Sequence, residues 1–250
     1  LHALPFEAHK ALWDTLDVSY FMRHESGEIA WHTRQITREL ARDSTRNPEQ
    51  GTPRGTPNIV RARTSPTGEG MQVLVYAADQ SDLFARICGY FDQAGFSILD
   101  AKVHTTRTGH ALDTFQVIAP DMSEHYRELQ SLVEAELPRF IESQTPLPPP
   151  SKGRTSRRVK NFPVSPRVDL RPDEKAQRWL LNVSASDRAG LLYSIALVLA
   201  KHGINLQLAK ITTLGERVED TFLIDGLSLQ HSKTQIAIET ELLAALSPSN

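Results

Sequence analysis

With 250 residues, 40% of them hydrophobic and 23% charged, and a formal net charge of −2, the chain has room for one large or two small domains and no global reason to seek nucleic acid or an anionic membrane. No apolar run approaches the roughly 18–20 residues that span a bilayer, so no membrane partner is expected. The single cysteine, Cys88, excludes an intrachain disulfide, suits a reducing cytoplasm, and amid "ARICGYF" reads as a small buried hydrophobe.

Taken in chain order, Leu1 to about Ala41 is predicted helical. Phe6, Leu12, Trp13 and Leu16 share one stripe, and Ile29, Ile36 and Leu40 share another. The start "LHALPFEAHKALW" lacks the charged region and apolar core of a signal peptide, and its first residue is not Met, which suggests a piece of a longer chain. So few apolar groups make a poor independent core, so this head should pack on the later units or on something outside the chain. "RDSTRNPEQGTPRGTPN" (Arg42–Asn58) holds three prolines and two glycines, and no ordered element is expected there. "QTPLPPPSKGRTSRR" (Gln144–Arg158) begins stiff and polyproline-like and turns basic. The division is therefore 1–57 head and linker, 58–160 first unit, 161–250 second unit.

The two units are copies. "ADQSDLFARICGYFDQAGFSILDAKVHT" (Ala78–Thr105) returns 108 residues later as "SDRAGLLYSIALVLAKHGINLQLAKITT" (Ser186–Thr213), matching Asp79 with Asp187, Gly95 with Gly203 and Lys102 with Lys210. After a one-residue deletion, "DTF" at Asp113–Phe115 meets "DTF" at Asp220–Phe222. Such an internal match means one fold used twice. Each copy predicts a strand (Met71–Ala78; Arg178–Ala185), a helix ended by Gly95 or Gly203, a hairpin turning at "TRTGHA" or "TLGERV", and a second helix (Ser123–Ile141; Ser232–Leu246). That succession is α+β and ferredoxin-like, βαββαβ, with antiparallel sheets and two helices on one face of each. "IVRAR" (Ile59–Arg63) and "RVDL" (Arg167–Leu170) precede the first strands at similar intervals and offer an extra edge strand each. In the second strand of each copy the apolar parity slips, from Phe96 and Ile98 to Ala101 and Val103, and from Leu206 and Leu208 to Ala209 and Ile211. A bulge near Leu99–Asp100 and near Leu208 is predicted, since otherwise a core face would turn to water.

The run "SDRAGLL…KHGINLQLAKITT" resembles an ACT domain, the small-molecule sensing module of amino-acid metabolism. More narrowly, "ITTLGERVEDTF", "RRVKNFPVSPRV" and "YFMRHESGEIAWHTRQI" resemble the C-terminal part of the bifunctional uridylyltransferase/uridylyl-removing enzymes that modify the nitrogen-signalling protein PII. The resemblance implies two tandem ACT domains behind a helical head, glutamine as effector, PII as partner through the parent enzyme, and pairing of ACT modules within a chain or in a homodimer. It also implies two upstream catalytic domains, one needing Gly-Ser before a close aspartate pair and one of the His-Asp type. This chain contains no Gly-Ser, no Asp-x-Asp and no His-Asp. No acidic cluster has the spacing to converge on Mg²⁺, so Mg²⁺ is expected of the parent and neither a cofactor nor catalysis of this chain.

The candidate ligand site is the loop where the second copy's first strand meets its helix. Amides of Gly190, Leu191 and Leu192 at a helix N-terminus suit an α-carboxylate, and a glycine admits close approach. Arg188 and Ala189 complete that loop. Asp187 offers an ammonium partner or a helix N-cap, and Asn205 offers an amide that gives and accepts hydrogen bonds. The matching loop of the first copy, Asp79, Ser81, Asp82 and Leu83 with Ser97, puts a carboxylate where Gly190 stands, which predicts a weaker or absent site. The alternative is a non-sensing protein-interaction module. The basic run Lys152 to Arg167 reads as a solvated linker or strap, and neither sheet carries the aromatic pair of an RNA-binding surface. His104 and His110 flank one hairpin as exposed strand histidines without a third metal ligand, and His24 and His32 are assigned packing roles.

Overall fold

A computed structural model of the chain describes residues 6–46, 57–66, 68–120, 122–151, 164–173 and 178–247. The head is three helices, α1 (Phe6–Trp13), α2 (Val18–Arg23) and α3 (Ser26–Arg46). Asp17 caps α2, its carboxylate accepting from Tyr20 N at 3.1 Å. α3 runs into the stretch taken above as linker. The first breaker there is Pro48, and Arg42 pairs with Glu39 one turn back at 2.8 Å, so nothing stops the helix at Ala41. The remainder of that linker, 47–56, and the basic stretch 152–163 lie outside the described residues.

The first unit comprises β1 (Ile59–Thr64), β2 (Met71–Ala78), α4 (Leu83–Gln93), β3 (Ser97–Lys102), β4 (His110–Ile118) and α5 (Met122–Glu142). The second comprises β5 (Arg167–Pro172), β6 (Trp179–Ser186), α6 (Leu191–Lys201), β7 (Asn205–Lys210), β8 (Thr213–Leu214), β9 (Arg217–Asp225), a 3₁₀ turn (Leu227–Gln230) and α7 (Ser232–Leu246). Sheet orders are β1-β2-β4-β3 and β5-β6-β9-β7, antiparallel throughout, with β8 on β9. The α+β class with two ferredoxin-like units is therefore the observed fold. The fourth strand of each sheet is the one that precedes the copy, so among the described residues each unit reads ββαββα. Beside the first strand of the repeat, it fills the edge that a trailing strand fills in βαββαβ.

Both predicted bulges are present. The register shifts between Ile98 and Asp100 and between Leu206 and Leu208, leaving Leu99 and Gln207 as the extra residues. The helices end as the glycines require: Gly95 and Gly203 take φ of 78° and 63°, and Phe96 N and Ile204 N donate back to Phe91 O and Leu199 O. The repeated "DTF" has a shared structural task. Phe115 and Phe222 fill the two cores, while the buried Asp113 and Asp220 accept from the backbone of His104 (3.2 Å) and Thr212 (3.1 Å) beyond the bulge.

The units meet along α4 and α6 and along the outer strands β3 and β7. Small residues make that seam: Ala85, Cys88 and Ala196 pack around Tyr193. A Cβ on Gly89 would stand 2.8 Å from the Tyr193 ring, so glycine is what lets the helices approach. Cys88 is buried there and burial pushes its thiol pKa well up, which suits a hydrophobe and not a nucleophile.

The head covers the first sheet's outer face. Leu12, Leu16, Tyr20 and Ile36 pack on Ile59, Leu74, Tyr76 and Leu112. Glu28 reaches across to Lys102 and Gln72, both at 2.8 Å. His104 differs from its expected exposure: it is buried, its ring 5.4 Å from that of Tyr20, because the head lies over the hairpin. His24 and His32 crowd the same tyrosine, and His32 joins Tyr20 Oη (2.7 Å) to Thr114 Oγ1 (3.1 Å).

Candidate functional site

Two cavities lie on the seam, related by the repeat. The larger, about 590 Å³, is walled by Asp187–Tyr193 from the second unit and Phe96–Leu99 from the first, with Asp92, Ser151 and Asp220 at its sides. The smaller, about 40 Å³, sits between the matching loop of the first unit (Asp79, Ser81, Leu83 and Phe84) and Asn205 and Leu206 of the second. Each cavity thus joins one copy's loop to the other copy's strand. Asn205 does not join Asp187 as the sequence grouped them; it faces the Asp79 loop, and Ser97 takes the corresponding place at the Asp187 loop. Side-by-side pairing of two copies forces this exchange, because the strand of one unit borders the helix start of its neighbour.

The loop geometry answers the capping question for the two aspartates. The residue that caps α6 is Gly190, at φ 72°, and the one that caps α4 is Asp82; neither helix has a side-chain cap. Asp187 and Asp79 therefore do not cap. Asp187 donates its N–H to Glu216 O at 2.8 Å, and Asp79 accepts from Thr105 Oγ1 at 3.0 Å. Both carboxyl side chains reach solvent, yet desolvation by the surrounding loop raises the pKa of each. Of the amides expected to serve a carboxylate, Leu191 N–H donates to Arg188 O at 3.3 Å, and the Ser151 backbone lies against Gly190, where a Cβ would stand 2.8 Å from Ser151 O. Leu192 and Tyr193 follow in the first turn of α6, at the positive end of the helix, where N–H groups have no helical acceptor. The Gly190 carbonyl is occupied, accepting from Ser194 N (2.8 Å) and Ser194 Oγ (2.7 Å).

Arg188 turns away toward the C-terminal end of α7, where its guanidinium donates to Ala245 O, a favourable place for a cation. Burial lowers its pKa, and Asp92 opposes that shift. Asp220 is 2% exposed and lines the larger cavity. Burial lifts its carboxyl pKa to about 7, with the charge of Asp187 adding to the rise. The cavity therefore holds three acidic groups, Asp92, Asp187 and Asp220, close to bare amides.

The first copy's loop is arranged differently from what was expected. Asp82 does not project a free charge into the cavity; its carboxylate pairs with Arg86 Nε at 2.7 Å. The space is instead closed by the apolar side chains of Leu83, Phe84 and Leu206, among others, and a single water already takes about 30 Å³. Asp92, Ser151, Tyr193 and Asp220 were not singled out from the sequence as lining the site. For two of them a signal was available in the repeat: Asp92 faces Ala200 in the alignment and Tyr193 faces Ala85; Asp220 matches Asp113 and Ser151 lies outside the copies, so neither stood out.

Among the described residues, no group of three or more His, Cys, Asp or Glu side chains is placed to hold a metal ion. No helix there is long and apolar enough to cross a membrane.

The family model described as "Uridylyltransferase GlnD fifth domain" matches residues 1–35. Over 98% of its length the chain is 52% identical to bifunctional uridylyltransferase/uridylyl-removing enzymes of Burkholderia thailandensis, Burkholderia mallei and Burkholderia pseudomallei. The chain spans 27% of the length of these relatives. No solved structure matches it.

Proposed function

For a chain that belongs, as a region, to the bifunctional uridylyltransferase/uridylyl-removing family, we propose the role of amino-acid sensor in an enzyme that attaches UMP to PII protein and removes it, in the cytoplasm, with glutamine as effector. The reading rests on one observation: the larger seam cavity sets the first turn of α6 in one unit opposite a strand of the other, in a space of about 590 Å³. The ligand's α-carboxylate docks on the Leu192 and Tyr193 amides. Its ammonium lies by Asp187 and Asp220, and its side-chain amide meets the Ser97 hydroxyl and the backbone of Ile98–Leu99.

Because the two walls come from different units, an occupied cavity favours the arrangement in which both stand at the right spacing. The ligand shifts that equilibrium only by its differential affinity for the two arrangements, and so biases the catalytic domains of the parent. The Mg²⁺ implied for the parent has no ligand set among the described residues. The smaller cavity, about 40 Å³, is too small for a ligand of this size, so of the two seam cavities the larger one is the proposed site. Calorimetry with glutamine tests the proposal. Heats that fit one site per chain and vanish with Asp187→Ala support it; no heat, with PII still bound, leaves an interaction module that does not sense.

A further inference from the structure

The segment that leaves α5 does not hang free between the units. Gln144 turns it, at φ 50°, and Thr145 O accepts from the buried Arg86 at 3.1 Å. Leu147 packs into the α4–α6 seam. Pro148 O accepts from Tyr193 Oη at 2.6 Å. Ser151 then donates twice to one carboxylate, from its N–H to Asp92 Oδ2 at 2.7 Å and from its hydroxyl to Asp92 Oδ1 at 2.6 Å. At the same place the backbone of Ser151 covers Gly190, where a Cβ would stand 2.8 Å from Ser151 O.

These anchors come from both units, Arg86 and Asp92 from the first, Gly190 and Tyr193 from the second. None is repeated: their partners in the alignment are Ser194, Ala200, Asp82 and Ala85. Residues common to both copies build the ferredoxin-like fold; residues present in one copy alone hold this segment. Its prolines restrict the backbone and lower the entropy lost on docking.

We propose that residues 144–151 are a latch across the seam, fixing the spacing of the two units and supplying the Ser151 wall of the larger cavity. Its coupling to glutamine rests on the sensing reading above; the latch itself does not. Closing the latch costs little entropy, and its Ser151 end spends two charge-assisted hydrogen bonds on a single carboxylate, so loss of that carboxylate releases the Ser151 end and weakens the hold of the rest. Opening it loosens both the α4–α6 contact and the start of α6.

Hydrogen exchange by mass spectrometry on the whole chain tests this, comparing the unaltered protein with Ser151→Ala and Asp92→Asn, each with and without glutamine. Peptides spanning 144–151 and 187–193 should exchange about tenfold faster in Asp92→Asn and less so in Ser151→Ala, which keeps its backbone bond. Glutamine affinity should fall in the same order. Exchange in 144–151 that is already as fast as in a free peptide, or unchanged by either substitution, overturns the latch. If glutamine binds and neither variant alters exchange or affinity, the latch fails and sensing stands. If no form binds glutamine while both variants open both peptides, the latch stands and sensing fails.

Discussion

The two units share a fold and differ on the face turned away from their helices. In the first, Ile59, Leu74, Tyr76 and Leu112 form an apolar surface that the head covers. The matching positions of the second are Arg167, Asn182, Ser184 and Glu219, half-buried or exposed. Four outward positions decide whether a sheet takes a third layer. The inward positions, repeated in both, build the same core either way. A fold duplicated in this way can give one copy to docking a neighbour and keep the other face in water.

The strongest way to break the contrast is to write the second copy's residue into the first. Leu74→Asn puts an amide with no partner at a position with 0% exposure and should cost about 2–5 kcal/mol, with the head released; Asn182→Leu should cost almost nothing. Urea unfolding followed by Trp13 and Trp31 fluorescence measures both. Gly89→Leu, again the second copy's residue, drives a side chain into Tyr193 and should cost about 1–3 kcal/mol while separating α4 from α6.

A pH series sharpens the same contrast, because the head buries its own His24 and His32 together with His104 of the hairpin it covers, whose place in the second unit is taken by Thr212. Burial holds His24, His32 and His104 below the ordinary imidazole value. Opposing charges moderate this for His24 (Glu28) and His104 (Asp17), whereas His32 faces only like charges, from His24, Arg63 and Lys102. Docking therefore favours the neutral rings. Its contribution is present above about pH 6.5, the value in the undocked chain, and is lost as pH falls below it. Asp220 runs the other way: its pKa is raised to about 7, so its contribution is complete near pH 4 and is lost as pH rises through about 7. Melting curves should show the head's transition moving down between pH 7 and 5.5, and His32→Gln should flatten that slope.

The smallest effect separates the two cavities. Ser97→Ala should weaken glutamine binding a few-fold, roughly 0.5–1.5 kcal/mol, and Asn205→Ala should leave it unchanged. Competitive binding of labelled glutamine reads both.

What the sequence disclosed and what it hid follow from where the information sits. Strand parity placed the bulges at Leu99 and within one residue of Gln207, because a core face tolerates no slip. Gly95 and Gly203 marked the helix ends because a left-handed residue is needed there. The exchange of Ser97 and Asn205 between loops was hidden, since aligning copies says nothing of which strand lies beside which helix. The buried site of His104 was hidden too, because alternation along a strand does not reveal a layer laid over it. Of the latch anchors, Gly190 was read as a mismatch between the copies, while Arg86, Asp92 and Tyr193 stood in plain view as mismatches at positions not compared.

The most direct test of the account follows backbone amide shifts of the whole chain during a glutamine titration. The account predicts saturable changes at Gly190–Tyr193 and Ser97–Leu99 with one stoichiometric site. Changes centred on Asp79–Leu83 and Asn205, or none at either loop, would contradict it.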